Sequence, residues 1–242
     1  MKIFNVEISE EVKEILKNGK VVGNNYILPP EQLDRKKYVE VNKILELLGG
    51  KWNRSARCHI FQENIALKFK EALAEGKVID KKKTYQFFET PEEVVKQMIE
   101  LAEISKDDDV LEPSAGHGAI AKYLPDDSFL MEIDNEKCKK LKKIGFSCNC
   151  QDFLTYTGRY FDKIIMNPPF TGGQDVKHIL HAYSLLKKGG RIVSIVPSMT
   201  TEKSQKKYKE VQSLIKEVID LPDCSFQDSG TKVNTKIVII DK

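Results

Sequence analysis

The residues best suited to take part in a reaction form the tetrapeptide Asn167-Pro168-Pro169-Phe170. Prolines fix the backbone and lack an amide N–H, so the turn presents oxygen acceptors in set directions. The Asn167 side-chain oxygen and the Pro168 carbonyl could each accept one proton of an amino group conjugated to an aromatic ring. These bonds would free the nitrogen lone pair to attack an electrophilic carbon, and they strengthen as positive charge develops. Phe170 would stack on the planar acceptor. The alternative is a proline-rich turn that only ends a strand.

A second candidate site is the turn Glu112-Pro113-Ser114-Ala115-Gly116-His117-Gly118. Its small side chains let a ligand approach the backbone closely. Glu132 ends the next predicted strand about 20 residues on, where a carboxylate can accept ribose hydroxyls. Because Glu112 would repel phosphates, a cationic nucleoside such as S-adenosylmethionine fits better than NAD. Taken alone, the turn is equally compatible with an ordinary strand-to-helix connection.

Asp152 and Phe153 follow a third candidate strand. The aspartate could accept from an adenine amino group and the phenylalanine could lie against the ring, although Asp152 could instead be a helix N-cap. His178 and His181 are three residues apart on a predicted helix, but no carboxylate or cysteine pair accompanies them. We therefore expect no metal site.

Short apolar runs alternate with helix-length segments from residue 109 onwards, which predicts an α/β fold with a mainly parallel sheet. The predicted strands are 110–111, 129–133, 161–166, 192–196 and 236–240. Helices are predicted over 135–143 and over 175–188, the second closed by Gly189-Gly190. We expect a crossover helix after each strand, including one that begins directly after the glycine turn.

Residues 1–83 show no such alternation of apolar runs with helix-length segments, which predicts a separate small α+β region. A helix is expected from Pro29-Pro30 to Gly49, then two short strands about a polar turn within 51–61, then a helix over 63–74. The turn carries Lys51, Arg54 and Arg57, which could contact DNA phosphates or enter a groove. The alternative is a solvated hairpin with Trp52 packed inside.

Composition supports a globular protein, with 40% hydrophobic and 31% charged residues among 242. The net charge of +3 is a weak lean towards polyanions. The apolar runs are too short to span a membrane and the N-terminus lacks a secretory pattern, so a cytoplasmic location is expected. The five cysteines, which show no Cys-x-x-Cys spacing, are interpreted as reduced packing thiols: Cys58, Cys138, Cys148, Cys150 and Cys224.

In order and spacing, these motifs resemble the gamma class of DNA adenine-N6 methyltransferases over about residues 85–242. Residues 1–83 more loosely resemble the segment before the catalytic domain of small phage-type members. The resemblance implies a class I (Rossmann-like, seven-stranded) methyltransferase fold over 84–242, with the last strand antiparallel. It also implies S-adenosylmethionine as cofactor and double-stranded DNA as partner.

The resemblance also implies roles for single residues. Thr90, within Phe87-Phe88-Glu89-Thr90-Pro91, would bind the methionine carboxylate, and Phe226 would sandwich the flipped base against Phe170, unless Phe226 is a core residue. The implied cofactor-binding set is Thr90, Glu112, Ser114, Ala115, Gly116, Gly118, Glu132, Ile133, Asp152 and Phe153.

One departure concerns sequence recognition, since many family members carry a target-recognition domain after this point. Recognition of the DNA sequence would then depend on the 51–61 hairpin or on a predicted helix that carries Lys203, Lys206, Lys207 and Lys209. Two further readings stay open. Related enzymes with the same tetrapeptide modify RNA adenine or a protein glutamine, and a silent DNA-binding module could retain the sheet.

Overall fold

The computed structural model describes residues 4–81, 84, 88–227 and 233–242. The chain divides into two compact units, Met1–Tyr85 and Gln86–Lys242, called here the small unit and the large unit. Phe87 of the motif before the glycine turn lies outside the described residues, as do Lys82, Lys83 and residues Gly230 to Lys232.

In its described residues, the small unit combines α-helices with two antiparallel sheets. The helices are α1 Glu10–Asn18, α2 Arg35–Leu47 and α3 Ala66–Glu75. The strands are β1 Asn5–Glu7, β2 Lys20–Val22, β3 Asn25–Ile27, β4 Lys51–Asn53, β5 Cys58–Ile60 and β6 Lys77–Ile79. Strand β1 pairs with β6, and the other four form a sheet in the order β2-β3-β5-β4. An α+β region is therefore present, and the two predicted strands of 51–61 form the hairpin β4–β5.

Helix α2 begins later than predicted. The sequence places its start at Pro29-Pro30, whereas the structure starts it at Arg35. The Asp34 side chain accepts a hydrogen bond from the Lys37 backbone N–H at 2.9 Å and so caps the first turn. The capping carboxylate, and not the proline pair, therefore fixes where the helix starts.

The large unit is built on a seven-stranded sheet in the order β12-β13-β11-β10-β7-β8-β9. Its strands are β7 Val110–Glu112, β8 Phe129–Met131, β9 Cys148–Asn149, β10 Phe161–Met166, β11 Leu186–Pro197, β12 Glu217–Asp220 and β13 Thr235–Asp241. Strands β7 to β11 pair in parallel, while β13 runs antiparallel to β11 and β12. The predicted α/β architecture is confirmed, and β12 is a strand that the sequence analysis did not predict.

Helices cover both faces of this sheet. They are α4 Glu92–Ala102, α5 Asn135–Lys143, α6 Gln174–Ser184, α7 Ser198–Glu202 and α8 Lys206–Leu214. Alternate residues of one strand enter different cores: Ile165 packs in a cluster with Val95 and Met98 of α4. Ile164 and Met166 pack in a second cluster with Ile179 of α6 and Val211 of α8. The parallel strands are thus buried on both sides, as a parallel sheet requires.

Two predictions about the crossover helices are wrong. After β7 and β9 the structure has only short 3-10 helices, Ala121–Tyr123 and Phe153–Thr155. The helix predicted over 175–188 ends at Ser184, and Gly189-Gly190 lies inside β11. A Cβ on Gly190 would stand 2.8 Å from the Asp162 carbonyl oxygen. The glycine therefore permits the close approach of β11 to β10 and does not end the helix.

The expectation that all five cysteines are reduced is also wrong. Cys138 and Cys150 form a disulfide, with their Cα atoms 5.7 Å apart. Helix α5 carries Cys138 and packs against β9, which Cys150 follows directly, so the fold brings the two sulfurs together. Cys58 and Cys148 are buried free thiols, and Cys224 is exposed. Spacing alone does not predict such a pair, because the helix and the strand must first dock.

Among the described residues, no helix has both the length and the apolar character that a membrane crossing requires.

Candidate active site

Three neighbouring parallel strands bring the predicted residues to one edge of the sheet. Strand β7 lies between β10 and β8, with Ile164 paired to Leu111 and Glu112 paired to Leu130. Glu112 ends β7, Asn167 follows β10 directly, and Glu132 follows β8 directly. This carboxyl edge of a parallel sheet is where α/β proteins bind ligands. The topology therefore places both predicted motifs at a position suited to chemistry.

The Asn167 side chain is held by two hydrogen bonds from its amide nitrogen. Nδ2 donates to the Phe88 carbonyl oxygen at 3.1 Å and to the Thr90 hydroxyl oxygen at 3.0 Å. An amide nitrogen has two protons, so both are used and the orientation of the side chain is set. The carbonyl end is thereby reserved as an acceptor. No local sequence pattern predicts this contact, because 77 residues separate Asn167 from Thr90.

The rest of the tetrapeptide is partly enclosed. Pro168 is buried, whereas Pro169 and Phe170 are half-buried. Phe170 packs against the apolar cluster that contains Phe226, and Phe226 is only 1% exposed. The structure thus places Phe226 in the core, in agreement with the alternative that the sequence left open. A stacking role for Phe226 stays a prediction.

Glu112 is a buried carboxyl group. Its Oε2 is buried and has no hydrogen-bond partner among the described residues. Burial, reinforced by the neighbouring Glu132 charge, raises the pKa of Glu112 to about 8. A buried polar oxygen without a partner is destabilising unless a donor reaches it. The position suits a positively charged donor, and the ammonium group of an amino acid is one.

The glycine turn is held against the next strand. Ala115 N–H donates to the Met131 carbonyl at 2.9 Å, and Gly118 N–H donates to the Ala115 carbonyl at 2.7 Å. Gly118 has φ 87° and lies against the Leu141 side chain, so a larger residue would meet both backbone strain and steric conflict. Ala115, Gly116 and Gly118 are buried and Ser114 is half-buried. The turn therefore offers a close approach to its backbone.

Glu132 connects the turn to β8. Its carboxylate accepts from Gly116 N–H at 2.7 Å and from Asp134 N–H at 2.8 Å. Burial raises the pKa of Glu132, and these two backbone bonds oppose that rise. Each oxygen uses one lone pair here, so each can still accept a hydroxyl proton. The bond to Gly116 is a second contact that the sequence did not predict.

Of the residues predicted to lie beside the adenine ring, Asp152 and Phe153 make other contacts in the structure. Asp152 Oδ1 accepts from Leu154 N–H at 3.0 Å and caps the 3-10 helix, which is the alternative role left open for it. Phe153 is 2% exposed and packs against His181, with ring centroids 4.7 Å apart. Ile133, two residues after the end of β8, is half-buried. Contacts from these three residues to an adenine ring stay predictions.

The two histidines on α6 bind backbone oxygens. His178 Nδ1 lies 2.8 Å from the Gln174 carbonyl, and His181 Nε2 lies 2.9 Å from the Tyr156 carbonyl. Both rings also pack on Phe153. The structure therefore gives both histidines a role in packing the helix against the sheet.

Comparison with known proteins agrees with this topology. No protein-family model matches the chain. A modification subunit of a putative type I restriction enzyme from Vibrio vulnificus YJ016 matches with a TM-score of 0.54 and 18% identity, over 72% of this chain and 48% of that one. The type I restriction enzyme EcoKI M protein matches with a TM-score of 0.55 and 16% identity, over 97% of this chain and 58% of that one.

A third similar structure is a dimethyladenosine transferase from Plasmodium falciparum, with a TM-score of 0.50 and 19% identity over 64% of this chain and 63% of that one. The chain spans about half the length of the two restriction-enzyme subunits. At these identities the likeness shows the fold alone. The large unit has the class I, Rossmann-like methyltransferase fold, as the sequence predicts.

Proposed function

We propose that this chain is an S-adenosylmethionine-dependent methyltransferase that modifies the exocyclic amino group of adenine in double-stranded DNA. The observation that carries the proposal is the pair of hydrogen bonds from Asn167 Nδ2 to Phe88 and Thr90. They leave the Asn167 oxygen as a fixed acceptor at the carboxyl edge of the sheet, next to Glu112. A rigid acceptor in this place suits an amine that must be turned towards a neighbouring ligand.

The residues present fit S-adenosylmethionine. The unpartnered Glu112 oxygen would accept from its ammonium group, and the turn from Ser114 to Gly118 would face its amino acid part. The free lone pairs of Glu132 would accept from the ribose hydroxyls, and Ile133, Asp152 and Phe153 would lie on the adenine side. When bound, the cofactor supplies an electrophilic methyl carbon attached to a sulfonium sulfur.

The chain itself would act by holding the acceptor amine. Asn167 Oδ1 and the Pro168 carbonyl oxygen would each accept a hydrogen bond from one amine N–H, which localises the lone pair on nitrogen. As positive charge develops on that nitrogen, both hydrogen bonds strengthen and favour the transition state over the ground state. Phe170 would hold the face of the base, so the remaining rate enhancement comes from alignment. No strong general base is required before the transfer.

Adenine in DNA is proposed over other amino acceptors because of the family resemblance, and the similar modification subunits agree with it. A restriction-modification context belongs to the same proposal. RNA adenine stays a second acceptor to be tested, because related enzymes with the same tetrapeptide modify it. Incubation of plasmid DNA, total RNA and a protein extract with tritium-labelled cofactor, followed by nucleoside mass spectrometry, identifies the acceptor. Label in N6-methyladenine from DNA is expected; label only in RNA or protein contradicts the choice of substrate.

The role of Asn167 is tested by Asn167→Ala. We expect unchanged affinity for S-adenosylmethionine by calorimetry and a kcat lower by about 10² to 10³, because an acceptor specific to the transition state is lost. Asn18→Ala, at the end of α1 in the small unit, is the matched control and should keep normal turnover. Near-normal turnover of Asn167→Ala would remove the assigned role. Absence of cofactor binding by the unmodified chain would leave only a silent DNA-binding module.

A further inference from the structure

The basic charge of the chain is concentrated in the small unit. Residues 1–85 contain 17 Lys and Arg against 12 Asp and Glu, a formal charge of +5. Residues 86–242 contain 22 against 24, a formal charge of −2. The whole positive excess therefore belongs to the unit that does not contain the candidate active site. Such asymmetry between two parts of a chain points to a polyanionic partner for the basic part.

Within the small unit, one sheet carries cations without any acid. The two segments that form the four-stranded sheet, 19–28 and 49–62, contain Lys20, Lys51, Arg54 and Arg57 and no Asp or Glu. All four side chains are exposed. None of the four forms an ion pair with any residue that the structure describes. The ion pairs of Lys13, Lys17 and Lys37 lie on the helices instead. We call these four residues, together with the strands that carry them, the basic sheet.

The hairpin that presents two of these cations is held in a defined shape. Strand β4 is the edge of the sheet, and residues 54–57 form the turn to β5. Asn53 Oδ1 accepts from Ala56 N–H at 2.9 Å and closes the turn. Arg57 adopts a left-handed φ of 49° within this turn. The two guanidinium groups are therefore carried on a narrow, hydrogen-bonded tip.

The base of the hairpin is packed against α2. The Trp52 ring meets the Tyr38 ring edge-on with centroids 6.5 Å apart, and it lies 5.1 Å from the His59 ring. His59 is fully buried, and its Nε2 lies 2.7 Å from Asn42 Oδ1 on α2. Trp52 still exposes 41% of its surface. The hairpin is thus anchored at its base while its cations face solvent.

We propose that the basic sheet binds the sugar–phosphate backbone of duplex DNA, with Arg54 and Arg57 at the hairpin tip contacting the phosphates that border the major groove. Exposed cations that form no ion pair with a described residue favour a polyanion, and arginine matches phosphate geometry with two parallel hydrogen bonds. The major groove is wide enough for a two-stranded β ribbon. Val22, Ile27 and Ile60 are exposed on the opposite face of the sheet from Trp52, near Lys20 and Lys51, where they can contact deoxyribose. Only the choice of DNA rests on the proposed function.

The test measures binding of the full chain to a fluorescein-labelled duplex of about 20 base pairs by anisotropy, over a range of salt concentrations. In Arg54→Gln/Arg57→Gln, two phosphate contacts are lost. The slope of log affinity against log salt should then fall by about 1.8, with affinity about tenfold or more weaker at 0.1 M salt. The matched control Lys43→Gln/Lys70→Gln removes the same charge from exposed helical positions and should change affinity less than about twofold. Unchanged Trp52 fluorescence verifies the fold of each variant.

Equal losses in the two double variants would overturn the proposal, since binding would then follow net charge alone. No loss in the hairpin variant would also overturn it. Two competition arms distinguish other polyanions: an RNA duplex that binds more tightly than DNA contradicts the choice of DNA, and polyglutamate that displaces DNA at equal charge indicates an acidic protein partner. Binding requires no methyl transfer. Hairpin-dependent binding by a chain without transferase activity would therefore support this inference while contradicting the proposed function.

Discussion

Replacement of Glu112 by glutamine tests the electrostatics of the candidate cofactor site. Burial raises the pKa of this carboxyl from 4.5 to about 8. A carboxyl with a higher pKa in the folded state holds its proton more tightly when folded. Its contribution to stability is therefore fully present below about pH 4.5 and is lost as the pH rises to about 8. Glutamine imitates the protonated carboxyl group at every pH, so the variant loses no such stability as the pH rises from about 4.5 to about 8.

The shift sets the size of the effect. Each pKa unit corresponds to about 1.4 kcal/mol, so the free energy of unfolding of the unmodified large unit should fall relative to Glu112→Gln by at most about 4 kcal/mol between pH 5 and pH 8. The two proteins should have similar stability at pH 5, and the variant should be the more stable one at pH 8. Because only this difference is interpreted, the other titrating groups cancel.

Guanidinium unfolding at four pH values measures the difference. Far-UV circular dichroism follows mainly the large unit, whereas the single tryptophan, Trp52, lies in the small unit and its fluorescence should show no difference between the proteins. Glu210→Gln removes the same charge from the exposed face of α8 and is the matched control. A stability difference between Glu112→Gln and the unmodified chain that stays constant from pH 5 to pH 8 would refute the reasoning.

Three further predictions concern single contacts. Thr90→Val removes the acceptor that holds the Asn167 amide and should lower kcat by about tenfold to a hundredfold, whereas Thr90→Ser should not; a change in the KM for cofactor alone would favour carboxylate binding by Thr90. Tyr26→Phe removes a buried 3.0 Å hydrogen bond to a backbone carbonyl and should destabilise the small unit by about 1 kcal/mol in tryptophan-monitored unfolding. Reduction of the Cys138–Cys150 disulfide should destabilise the large unit by about 3 kcal/mol, and Cys150→Ala should make its stability insensitive to reductant.

The sequence predicts the fold of the large unit well because its strands are short apolar runs with clear ends. Strand β10 and helix α5 match their predicted bounds, since each depends on a local pattern: an apolar run before a proline pair, and a charged amphipathic stretch capped by Asp134. The glycines at 189 and 190 mislead the prediction because a glycine that ends a helix and one that allows close strand packing look alike in sequence. Only the structure distinguishes the two roles: a Cβ on Gly190 would stand 2.8 Å from the Asp162 carbonyl oxygen.

The sequence predicts which residues form the candidate site, but it does not predict the hydrogen bonds between them. Motif order brings Glu112, Glu132 and Asn167 to one sheet edge, because parallel strands place their carboxyl ends together. The bonds that hold these groups, from Asn167 to Thr90 and from Gly116 to Glu132, join positions far apart in the chain. Such contacts follow from docking of the segment before α4 and of β8 onto the sheet. No local pattern of residue types contains that information.

The position of β13 constrains how the large unit can form. This strand is the last described element of the chain, yet it lies between β11 and β12 and joins them. During synthesis, β12 therefore has no strand to pair with until residues 235–241 emerge. Over the same period, the edge of β11 that pairs with β13 in the folded sheet is uncovered. An open strand flank of this kind can pair with other chains. We therefore expect nascent chains that stall after β12 to aggregate more readily than chains that include β13.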